Sequence, residues 1–188
     1  MIETIRNKVK ALVGDFIQTD TEVFTYENSE IFTLQEENIE EITEVSLNGT
    51  ALGSGDYSFD SSTNKITISI SGLSSSDVIE VIYTYYKYSD TEIDGYIKGA
   101  IVWMSIFSNS SEKDYEVENG DIYPTPTNAE TDLMAVIASI LIKPNYSQYN
   151  LPNLRVTYPE TMSKEQKIER LCNQWSRGLG INGVLNFD

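Results

Sequence analysis

The chain has 188 residues, with 13 Lys or Arg against 29 Asp or Glu, a formal net charge of −16 that argues against a surface for wrapping nucleic acid or lying on an anionic membrane. It has no histidine and a single cysteine, Cys172, which excludes a Ser-His-Asp triad, a Cys-His pair, a His-ligated metal, an internal disulfide and any Cys-rich metal cluster. A chain this long, 40% hydrophobic, can bury a sizeable core without such staples, as one domain or two small ones.

Ile5, Val9, Leu12 and Val13 fall on one face of a helix over residues 2–13, which Gly14 stops. Lys8 and Lys10 lie near the negative end of its dipole. From about residue 20 the period shortens to two. Residues 22–26 and 31–34 are rich in β-branched and aromatic side chains, and residues 45–52 carry Asn48-Gly49, the signature of a type I′ hairpin. Tyr57 and Phe59 alternate, Ile66, Ile68 and Ile70 share a face, and residues 77–86 are apolar or aromatic on both faces, as in a central covered strand. Gly- and Ser-rich clusters separate these runs, so a compact sandwich or small barrel is predicted over residues 20–87.

Helical period then returns. Ser89 and Glu92 form a capping box before Ile93, Ile97, Ala100, Ile101, Met104 and Phe107, with Trp103 placed to pack between elements or subunits. Residues 108–126, with Asn119-Gly120 and two prolines, read as a loop. Thr127 and Glu130 make a second box before Leu133, Val136, Ile137, Ile140 and Leu141, and Pro144 ends that helix. Residues 153–158 read as an extended piece. Ser163 and Gln166 open a last helix with Ile168, Leu171, Cys172 and Trp175 on one side, closed by Gly178. Because the first helix cannot hide its apolar stripe alone, it must pack on the later ones. The predicted fold is α+β: a bundle of about four helices over residues 1–19 and 88–178, a β-sandwich or barrel-like insertion at 20–87 between helices 1 and 2, and an extended C-terminal tail at 179–188.

Little of this sequence points to catalysis. The acidic run from Glu36 to Glu44 has the composition to hold a cation or pair carboxylates, but it reads as a solvated strand edge that resists pairing. Asp56, Asp60 and Asn64 recur every four residues, the wrong spacing for a calcium loop, and Gly178-Leu-Gly180 lacks the rest of a phosphate loop. Cys172 lies between Ile168 and Trp175 as a small buried hydrophobe, with no base to make its thiolate. Tyr83, Tyr85, Tyr86 and Tyr88 could stack bases or sugars, yet only Lys87 accompanies them, and they read as ordinary strand residues. No catalytic, cofactor-binding or metal-binding residue is assigned. No run reaches the roughly 18 apolar residues of a membrane span, and residues 1–8 do not read as a signal peptide. The expectation is a soluble, cytosolically made protein with accidental sequons at Asn48, Asn109 and Asn145. The candidate partner-binding residues are Ile181, Val184, Leu185 and Phe187 in the tail, with Trp175: an extended apolar segment can add to another chain, or pack back on its own bundle.

Two segments carry a family resemblance. Ile5-Arg-Asn-Lys-Val-Lys-Ala-Leu-Val-Gly-Asp15 resembles the opening helix of tailed-phage head-tail connector (adaptor) proteins, and Tyr88-Ser-Asp-Thr-Glu-Ile93 resembles their acidic-capped second helix. Val45-Ser-Leu-Asn-Gly-Thr50 and Gly55-Asp-Tyr-Ser-Phe-Asp60 are similar to modules of phage structural proteins. The resemblance implies a non-enzymatic subunit of the virion neck, made in the host cytoplasm, without cofactor or membrane contact. It implies a cyclic homo-oligomer, a dodecamer of about twelve copies when assembled, joining capsid to tail. The portal protein and a tail-side neck or tail protein would be its neighbours, the C-terminal tail meeting the portal, and double-stranded DNA would pass through without specific binding. An acidic conduit suits that passage, because it does not grip phosphates. The alternative expectation is a capsid decoration protein or a receptor- or glycan-binding β module; a carboxylate-based enzyme would need two converging acids, and no such pair stands out.

Overall fold

The computed structural model describes residues 1–107, 114–118, 120–177 and 183–187. They form a mixed α+β fold, with elements in the order α1 (Ile2–Val13), β1 (Gln18–Thr25), β2 (Ile31–Thr33), β3 (Ile39–Leu47), β4 (Thr50–Ala51), β5 (Tyr57–Asp60), β6 (Lys65–Ile68), β7 (Val78–Tyr85), α2 (Asp90–Phe107), β8 (Glu116–Glu118), β9 (Asp121–Tyr123), α3 (Asn128–Ile142), β10 (Gln148–Leu151), β11 (Leu154–Thr157), α4 (Lys164–Ser176) and β12 (Gly183–Asn186). The chain divides into two compact units, one of residues 1–15 and 90–188, the other of residues 16–89.

In the unit of residues 16–89, two antiparallel sheets run in the orders β1-β7-β3-β4 and β2-β6-β5. Phe32, Leu34, Val45, Ile66, Ile68, Ile79, Val81 and Tyr83, drawn from both sheets and the chain between them, meet in one apolar cluster. The period of two explains why: along β7, Ile79, Val81 and Tyr83 are buried while Glu80, Ile82 and Thr84 are half-buried. As expected of a central strand, β7 lies between β1 and β3, with one face buried and the other half-buried. Asn48 and Gly49 both have positive φ, 50° and 76°, between the paired residues Leu47 and Thr50, as a type I′ turn requires. The acidic run spans a loop and most of β3, whose register against β7 slips between Ile39 and Glu41 and again between Ile42 and Glu44. Two bulges, with Glu40, Glu41 and Glu44 exposed, discourage pairing along the stretch of β3 that β4 leaves uncovered among the described residues.

The other unit is organised around α3. Every residue from Glu130 to Ile140 is buried, and α3 packs on α1, α2 and α4. A helix apolar nearly all round is stable only in such a central place. Thr127 and Glu130 close its capping box, and Ser163 and Gln166 close that of α4. At Gly99 a Cβ would come within 3.2 Å of Leu141 Cδ1, so the absent side chain lets α2 approach α3 closely. Gly14 takes the left-handed conformation, φ 69°, that ends α1.

Here the chain departs from an uninterrupted run of helices, because strands lie among them. Part of the predicted 108–126 loop is the hairpin β8–β9, which buries Ile122. The predicted extended piece is one arm of a hairpin, β10–β11, with Pro152 and Asn153 at its turn, and β12 joins β11 in parallel. These strands are three or four residues long, too short for alternation to stand out in sequence. Lys167 of α4 is wholly buried and donates from Nζ to the carbonyls of Pro144 (2.6 Å) and Tyr146 (3.0 Å), fastening the turn after α3. Loss of water around this ammonium lowers its pKa.

Cys172 is fully buried on α4, and burial pushes its thiol up to about 12. At pH 8 the folded protein should resist iodoacetamide while the urea-denatured chain is alkylated completely. Fast modification of the folded chain, followed by mass spectrometry, would contradict this placement.

Candidate functional site

The tail residues do not form one exposed patch. Ile181 lies outside the described residues. Leu185 pairs with the buried Val156 and is itself half-buried, and the Phe187 ring stacks on Tyr158 at 5.1 Å between centroids. Both are committed to the unit's own sheet. Val184, opposite Arg155, is 66% exposed, and Trp175 is half-buried. β12 is an outer strand of the order β10-β11-β12, so among the described residues its far edge carries no strand partner. A shallow groove beside it is lined by Arg170, Asn173, Gln174, Arg177 and Phe187.

A second surface lies on α2. Its inward face carries Ile93, Ile97, Ala100, Ile101 and Met104. On the outside, Tyr96, Val102 and Ile106 are 36%, 58% and 64% exposed, and Trp103 stacks on Phe107 with planes 5° apart. Residues three and four apart share a helix face, so Tyr96, Val102, Trp103 and Ile106 make a stripe about three turns long. Sequence periodicity marked only the inward face and flagged Trp103 alone.

The cations of α1 are consumed within the unit. Arg6 forks onto Asp94 (Nη2–Oδ2 2.8 Å) and reaches Asp90 (2.7 Å), Lys10 pairs with Asp90 (2.9 Å), and Lys8 pairs with Asp132 (2.6 Å). These contacts tie α1 to α2 and α3, a larger role than the favourable dipole position read from sequence. Charge is uneven between the units: residues 16–89 hold 13 Asp or Glu and 2 Lys, or −11 of the total −16.

Within that acidic unit several carboxylates serve local turns. Asp60 accepts hydrogen bonds from the Ser62 and Thr63 hydroxyls, and Asp56 accepts from the Gly53 N–H, so both shape turns. The Asp60 partners, Ser62 first, hold its carboxyl below the usual range. Among the described residues no three His, Cys, Asp or Glu side chains are grouped to hold a metal. The tyrosine run is not a flat platform either: Tyr83 is buried and donates to the buried Glu22, whose Oε1 also accepts from Gln35 N–H at 2.7 Å. Desolvation, then Glu22, raises the Tyr83 pKa. Tyr85 and Tyr86 are half-buried beside a cavity.

No protein-family model matches this chain, and no curated protein matches it. No helix among the described residues is long and apolar enough to cross a membrane.

Proposed function

We propose that this chain is a structural virion protein, a head-tail connector (adaptor) subunit that forms a ring under the portal and joins capsid to tail as a non-enzymatic conduit for DNA. In this reading the four helices are the ring-forming bundle and residues 16–89 are a β-sandwich-like insertion between its first two helices. The observation that carries it is the exposed apolar stripe Tyr96, Val102 and Ile106 on α2. Copies bearing −16 repel one another, so self-assembly needs an apolar contact placed where the charge is lowest. The α2 stripe satisfies both conditions, because the unit it belongs to holds only the remaining −5 of the charge. A neighbouring copy is therefore its occupant, receiving the stripe on a different face so that the contact repeats head to tail around a closed ring. The open edge of β12, with Val184 beside it, is the contact assigned to the portal protein.

Replacing Val102 and Ile106 together by Asp should abolish incorporation into particles. The isolated chain should keep its circular dichroism spectrum, because both side chains already face water. Undiminished incorporation would remove α2 as the copy-to-copy contact.

A further inference from the structure

We infer that the cavity beside the paired ends of β1 and β7 binds a cationic side chain, an arginine presented by a partner protein. This deepens the connector reading by giving the acidic unit a partner of stated chemistry.

The cavity measures about 480 Å³, and its wall includes Gln18, Glu36, Glu37, Asn38, Tyr85 and Tyr86, completed by Gln35 and Lys87. Its frame is fixed by the backbone. Gln18 and Tyr85 are cross-strand partners, and the Tyr85 hydroxyl donates to Gln18 Oε1 at 3.2 Å. The loop carrying Glu36 and Glu37 is pinned at both ends: Gln35 N–H donates to Glu22, and the carbonyl of Asn38 accepts from Tyr86 N–H at 3.2 Å. Asn38 takes a left-handed conformation, φ 58°, at the corner where the loop turns into β3. Two acids and two tyrosines from separate parts of the chain are thus held around one space.

Three ligand classes can be weighed against this wall. An anion is repelled by a unit with 13 acids and 2 bases. A neutral sugar could use the amides and rings but gains nothing from that field. A guanidinium gains from the field, from the carboxylates of Glu36 and Glu37, from the amide oxygens and from the tyrosine faces. Lys87, one wall cation against two wall carboxylates, leaves the wall electronegative. The volume exceeds that of one guanidinium, which leaves room for the flanking backbone of a partner loop.

The test titrates the ¹⁵N-labelled full chain, at physiological salt, with N-acetyl-arginine amide, its neutral isostere N-acetyl-citrulline amide, spermidine and maltotriose. The arginine probe should shift amides of residues 36–38 and 85–87 saturably, with the citrulline probe at least tenfold weaker. Glu36→Gln with Glu37→Gln should weaken the arginine probe at least tenfold. Glu27→Gln with Glu30→Gln, an equal change of charge at exposed positions outside the wall, should leave it within twofold. Equal losses from both pairs would reduce the effect to net charge and overturn the site. Tighter binding of spermidine at these amides, or saturable binding of maltotriose, would overturn the assignment to a partner's arginine. Particle incorporation plays no part in this titration, so its failure would leave the connector reading standing.

Discussion

Lys8→Met should destabilise the chain by about 3 kcal/mol, roughly a hundredfold shift in the folding equilibrium, measured by urea unfolding. Lys8 Nζ bridges Asp132 Oδ1 at 2.6 Å and Thr131 Oγ1 at 2.8 Å. The partners are unequally exposed, 24% for the lysine side chain and 6% for the aspartate. Removing the lysine therefore strands a carboxylate inside the helical core, whereas the ammonium left by the reverse deletion can turn toward water. Asp132→Asn should accordingly cost less, about 1 kcal/mol. Adding Asp132→Leu to Lys8→Met should recover most of the loss, because no buried charge is then left unpaired. A loss under about 1 kcal/mol for Lys8→Met would place this pair with ordinary surface ion pairs.

Alkali should unfold the protein cooperatively above about pH 10. The unfolded-state references are 10.0 for tyrosine and 9.0 for the thiol. Burial raises the hydroxyls of Tyr83, Tyr115, Tyr149 and Tyr158, with Glu22 and Glu130 adding to the first two, and pushes Cys172 up to about 12. Between reference and folded values the folded chain binds more protons than the unfolded one, so stability falls as pH rises. These contributions are fully present below pH 9 and are lost progressively above it. Lys167 acts oppositely: its folded pKa lies below 10.5, so between the two values stability rises with pH. With Tyr85, whose hydroxyl is also raised, six groups oppose one, and the net slope is negative. Absorbance at 295 nm should show exposed tyrosines ionising first, and Tyr115, Tyr149 and Tyr158 of the helical unit ionising together with the loss of helix signal. Smooth ionisation of all 12 tyrosines with the helix signal intact would contradict this core.

What was legible in sequence follows from how local each signal is. The capping boxes at Thr127 and Ser163, the helix stop at Gly14 and the Asn48-Gly49 turn each lie within a few residues and appear in the structure as read. β12 is different: it pairs in parallel with β11 across the whole of α4, and no local pattern marks such a partner. Apolar spacing does not reveal whether Leu185 and Phe187 serve a partner or the chain's own sheet; the stack on Tyr158 depends on a residue far away in sequence. The dipole argument placed Lys8 correctly on its helix but could not foresee a carboxylate on α3. The cavity wall was hidden for the same reason, since strand pairing brings Gln18, the 35–38 loop and Tyr85 together.

The connector reading is tested most directly by counting copies. Quantitative peptide mass spectrometry on particles pelleted from an infected or induced culture, scaled to the major capsid protein, should find about a dozen copies of this chain per particle. Hundreds of copies would mean decoration of the shell, and complete absence from particles would contradict a place in the virion.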